Sequence, residues 1–60
     1  MRRDDIERDA QEMIEQYGAA AARIARVRAE IAEKHVRNQR LAQTWSDVAD
    51  AIETLLTPPR

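Results

Sequence analysis

Three helices packed as a bundle are the fold this 60-residue sequence predicts. Three observations predict it. Apolar residues recur every three or four positions in three segments, the spacing that lines one face of a helix. The one glycine, Gly18, sits directly after the first periodic segment, and the first of two prolines, Pro58, follows the last. Charged residues make 35% of the chain, which suits a well-solvated surface around a small core.

The first helix is expected over about 4–17. Asp4 followed by Glu7 has capping-box spacing, an acceptor for orphan N–H groups and a carboxylate three residues on. Ile6, Ala10, Met13, Ile14 and Tyr17 share one stripe at about 100° per residue, with Arg8, Glu12 and Glu15 opposite. Gly18 then stands where a helix commonly ends in the left-handed conformation, and it can also cap the next helix.

The second helix is expected over about 19–36 and carries two apolar faces, as a central helix touching two neighbours would. Ile24, Val27 and Ile31 form a bulky stripe. Ala21, Ala25, Ala32 and Val36 form a small-residue flank that lets a neighbour approach closely. Arg28 falls between the faces and must reach past apolar surface to water. Arg26–Glu30, Glu30–Lys34 and Glu33–Arg37 have the spacing of helical ion pairs.

The third helix is expected over about 39–56. Leu41, Ala42, Trp45, Val48, Ala49, Ile52, Leu55 and Leu56 hold one wide apolar stripe, with Gln43, Asp47, Asp50 and Glu53 turned away. Pro58 disfavours helix at Thr57, so 57–60 reads as a short tail. The whole chain, 1–60, reads as a single helical domain.

The boundary at 33–40, EKHVRNQR, contains neither glycine nor proline. Asn38 can cap a helix there, which favours a turn. The alternative is a short first helix plus one long helix over 19–56 in a coiled-coil-like dimer. Ile24, Ile31, Asn38, Trp45 and Ile52 recur every seven residues, as do Val27, Lys34, Leu41, Val48 and Leu55. Asn38 and Lys34 would then be polar positions in the middle of the seam.

Ala10, Tyr17, Gly18, Ala21, Trp45, Val48, Ala51, Ile52 and Leu55 make the pattern A…YG..A……W..V..AI..L. In it the chain resembles small uncharacterised all-helical bacterial proteins. The resemblance implies a helical fold and no activity. Such proteins often carry a Gly-Asp pair at the second connection, where this chain reads HVRNQ.

Composition narrows the function. A chain this short buries only about 60% of the surface its unfolded form exposes, so a homo-oligomer or a protein partner is expected to complete its core. Without cysteine there is no disulfide and no thiolate to hold a metal. A net charge of −1 supplies no global attraction to nucleic acid or anionic membrane. No apolar stretch approaches the ~20 residues of a membrane span, and MRRDDIERD lacks the apolar core of a secretory signal. A cytoplasmic location is the expectation.

No catalytic constellation is evident, and no cofactor or metal site is expected. His35 is the single histidine and reads as a turn or surface residue. Glu-x-x-His is missing, because Ala32 occupies the required position. The carboxylates Glu12 and Glu15, and Asp47, Asp50 and Glu53, lie on wet faces, whereas acid–base work needs a pKa tuned by burial or neighbours. One glycine cannot build a phosphate-cradling loop. TWSDVADAIETLL has the look of the first helix of a helix-turn-helix, but no recognition helix follows it. Its acidic outer side also argues against anionic lipid.

Charge is uneven along the chain. Residues 1–18 carry three Arg against six acids, 19–37 five basic residues against two acids, and 38–60 two Arg against three acids. An acidic first helix packed on a basic second one accounts for this. The expected function is a non-enzymatic protein–protein interaction module, an adaptor, regulator or inhibitor that self-associates, with Met13, Trp45, Leu55 and Leu56 as interface candidates. The alternative is a nucleic-acid-binding regulator using Arg23, Arg26, Lys34 and Arg37. Glu30 and Glu33 within that basic face, and the lack of aromatics on it for bases to stack on, disfavour it.

Overall fold

The computed structural model describes residues 3–57, and all its regular structure is helical. Helix α1 spans Arg3–Tyr17 and passes into a 3-10 turn, Gly18–Ala20. Helix α2, Ala21–Ile31, follows directly and widens into a π turn, Ala32–Val36. Helix α3 spans Gln39–Leu56.

The expected three-helix bundle with separate helices is corrected by this winding. Among the described residues helical turns follow one another without a gap over 3–36 and again over 39–56, so a long plus a short helix describes the fold better. The long member is 3–36 rather than 19–56, because winding continues through residue 18 and stops at 37–38. Winding resumes at once after Gly18 because four alanines follow, the residues with the highest helix propensity. The Ala21 N–H donates to the Gly18 carbonyl, closing the 3-10 turn that leads into α2 without any side-chain cap.

Gly18 still redirects the chain. Its φ of 60° lies in the left-handed region that favours glycine. A straight helix over 3–36 would be about 50 Å long at 1.5 Å per residue. The described fold measures 36 × 23 × 21 Å, so the stretch is bent, and α1 is laid against α3. Helix α3 is the hub: α1 and α2 both pack on it and touch each other little.

The second connection is a true end. Arg37 adopts φ 57°, ψ 39°, the left-handed conformation without glycine. The N–H groups of Arg37 and Asn38 both donate to the Ala32 carbonyl, the latter at 2.9 Å. That closure is wider than the usual helix end by one residue. Asn38 then caps α3, its Oδ1 accepting from the Leu41 N–H at 3.0 Å. At the other end α1 is already wound at Asp4, so Asp4 lies in its first turn rather than at its cap, where its charge favours the helix dipole.

The core consists of Ala10 and Met13 from α1, Ala21 and Ala25 from α2, and Val48, Ala49 and Ile52 from α3. Ile6, Ile14, Ile24 and Trp45 pack around it, half-buried. The small-residue flank of α2 is thus the face that meets α3. The bulky stripe lies mostly outside, with Val27 47% and Ile31 45% exposed. Two residues join Val36 to Gln39, so α2 and α3 must approach closely, and only alanine methyls allow that.

Val36, expected on the alanine flank, is 57% exposed. The π turn explains it. Each helical residue advances about 100°, so a turn holding one residue more swings the residues after it off the core face.

Candidate interaction surface

Among the described residues the large apolar side chains left in solvent fall into distinct places. Val27 and Ile31 lie on the outer side of α2. Val36 and Leu41 flank the Arg37–Asn38 turn. Leu55 and Leu56 end α3, and Tyr17 ends α1. Of the four interface candidates, Leu55 and Leu56 are exposed, Met13 is buried in the core and Trp45 is half-buried against it. The first two can meet a partner as they stand. Met13 cannot without opening the fold.

Trp45 is covered in part by an arrangement the sequence does not announce. The Arg28 guanidinium lies 5.1 Å from the Trp45 ring centroid and 5.8 Å from that of Tyr17. It also donates to the Tyr17 hydroxyl at 3.3 Å. Arg28 therefore does not simply run to water. It lies beside two aromatic rings and ties the end of α1, the middle of α2 and the start of α3 together. The signal available in the sequence is an arginine between two apolar faces in a chain with only two aromatics.

The basic candidates are split. Arg23 is exposed and forms no ion pair among the described residues. Arg26 reaches across to α3, donating to the Glu53 carboxylate at 2.6 and 3.1 Å and to Asp50 at 3.3 Å. The Glu53 bond is the main reason its pKa is raised, Asp50 adding to it. Lys34 holds Glu30 at 2.8 Å. That bond raises the Lys34 pKa and lowers that of Glu30. Arg37 supplies the left-handed turn and is exposed.

The charge asymmetry is thus resolved differently from the expectation. The acids that answer the basic segment are Asp50 and Glu53 of α3, not those of α1. Of the three expected helical pairs, Glu30–Lys34 is formed, while Arg26 is drawn to α3.

A groove of about 470 Å³ lies between α2 with its π turn and the first half of α3, lined by Arg26, Glu30, Glu33, Gln39, Gln43 and Ser46 among others. A second, of about 350 Å³, is bordered by Asp9, Glu12, Met13, Gln16, Arg28 and Trp45. The first is lined by Arg26, which is held by Asp50 and Glu53, and by the carboxylates of Glu30 and Glu33. His35 is exposed at the π turn and lines neither. Among the described residues no three acidic, histidine or cysteine side chains are placed to hold a metal, and no helix is long and apolar enough to cross a membrane.

Comparison of the chain with protein-family models, with curated proteins and with solved structures gave no match. The surface alone is left to indicate function.

Proposed function

We propose that this chain is a small cytoplasmic protein–protein interaction module that self-associates, acting as an adaptor, regulator or inhibitor rather than as an enzyme. The observation that carries the reading is the bulky apolar surface left outside the core, Val27 and Ile31 on α2 with Leu55 and Leu56 at the end of α3. Large side chains outside while alanines fill the inside are the reverse of what a self-sufficient monomer would favour. Val27 and Ile31 are neighbours one helical turn apart, and an exposed apolar patch commonly marks a place where another protein sits.

The nucleic-acid reading is weaker. Arg26 and Lys34 are engaged by carboxylates of the same chain, which leaves Arg23 and Arg37 free of ion pairs among the described residues. Phosphate would have to displace those carboxylates.

Light scattering between about 1 μM and about 1 mM tests the proposal, since a modest affinity falls in that range. The expected result is a mass that climbs above the monomer's 6.9 kDa with concentration. A constant monomer mass removes self-association. A salt-sensitive shift of duplex or single-stranded probes would favour the alternative.

A further inference from the structure

We propose that the outer face of α2 pairs with the same face of a second copy, the two helices crossing antiparallel about a two-fold axis at Val27. This rests on the self-association reading and names the surface and the partner.

The spacing comes first. Ile24, Val27 and Ile31 stand three and four residues apart, the spacing of a helix–helix seam. Ile24 is half-buried at the edge of the core, so the seam is anchored to the fold. Val27 and Ile31 are nearly half exposed, so a partner helix has apolar surface there to cover.

Charge selects the partner and its direction. Arg23 lies four residues before Val27 and Glu30 three after it. At about 100° per residue the two fall on the same flank of the stripe, about 20° apart. A two-fold axis at Val27 brings Arg23 level with the partner's Glu30, to within about one residue's 1.5 Å rise, and symmetry repeats the pair. The face is thus complementary to itself.

A parallel pairing would instead set Arg23 against the partner's other flank, where no carboxylate answers it, Arg28 being drawn away to Trp45 and Tyr17 in either pairing. Arg23 has no ion pair among the described residues, and Lys34 occupies one oxygen of Glu30, Oε1. Arg26 is held toward α3 by Glu53 and Asp50 and stays clear of the seam.

The chain has no cysteine, so a single introduced thiol reports position directly. Val27→Cys is expected to cross-link rapidly under mild oxidation into a disulfide dimer, because facing residues at a two-fold axis come within the ~7 Å Cα separation a disulfide tolerates. Leu55→Cys should cross-link slowly. Arg23→Glu and Glu30→Arg should each weaken the dimer, by about five-fold. The double swap should restore it.

Three outcomes overturn the proposal. A wild-type mass that stays monomeric ends it together with the self-association reading. An oligomer in which Leu55→Cys cross-links and Val27→Cys does not leaves self-association standing and rejects this face. A double swap weaker than either single one rejects the antiparallel pairing. All these positions are exposed, and circular dichroism checks that each variant keeps its helix.

Discussion

The two apolar faces of α2 are fates of one helix. The inner face is built from Ala21, Ala25 and Ala32, all buried. The outer face carries Val27 and Ile31, larger and more hydrophobic, yet exposed. Hydrophobicity alone would place them the other way round. Geometry decides instead: a two-residue link between Val36 and Gln39 brings α2 close to α3, and methyl groups permit the approach where branched side chains would hold the helices apart. Burying the smaller face forgoes transfer free energy of about 25 cal/mol per Å² on the larger one, which is what leaves the outer face able to bind.

The contrast is broken most severely by removing the large side chain that alanine receives. Ile52 is fully buried on α3, and Ile52→Ala should cost about 2–5 kcal/mol in urea unfolding. Filling the inner face comes next. Ala25→Leu should destabilise by about 1–3 kcal/mol, because the added atoms must push α2 away from α3. A neutral result for Ala25→Leu would mean that the interface is loose and that close approach does not select alanine there.

The two redirections of the chain give a smaller, opposite pair. Gly18 and Arg37 are both left-handed, and nothing lies within 4 Å of a Cβ added at Gly18. Gly18→Ala should therefore cost only the backbone term, about 1 kcal/mol, read from the melting midpoint. Arg37→Gly should stabilise by about 0.5–1 kcal/mol, the relief of left-handed strain less the added freedom of the unfolded chain.

The smallest effect concerns the rim of the outer face. Because Lys34 holds the Glu30 carboxylate, its titration midpoint by NMR should lie below the ordinary range for glutamate. A depressed carboxyl pKa contributes stability above the unfolded value and loses it as pH falls through the folded one, so the effect appears only on acidification. The Lys34 pKa is raised, so its share is present below the unfolded value and lost at strongly alkaline pH. Both groups are exposed, and salt should shrink the two shifts.

Much of this is legible in the sequence. The helical periods are strong, Gly18 is the one residue that takes φ 60° freely, and Asn38 is a good cap wherever it precedes a helix. The features that the sequence hides are matters of context. Arg37 gives no sign of its left-handed backbone, since any residue can be forced there when its neighbours are held. The π turn is invisible to a 3.6-residue period, so that period places Val36 on the wrong face. Winding through Gly18 depends on alanines that need no cap.

The surface is less legible still. Leu55 and Leu56 are exposed as interface residues should be, whereas Met13 is core and Trp45 is partly covered by Arg28. Arg26 pairs with Glu53, 27 residues away, which no local spacing rule could select. Val27 and Ile31 look like a core stripe in the sequence because bulk ordinarily goes inside.

That inversion is tested most directly by Val27→Asp in urea unfolding at low micromolar concentration, where self-association contributes least. An outer face tolerates the charge, and the unfolding free energy should change by less than about 0.5 kcal/mol. A loss of several kcal/mol, or a chain that no longer folds, would mean that Val27 is buried and that the alanine face is not the one packed on α3.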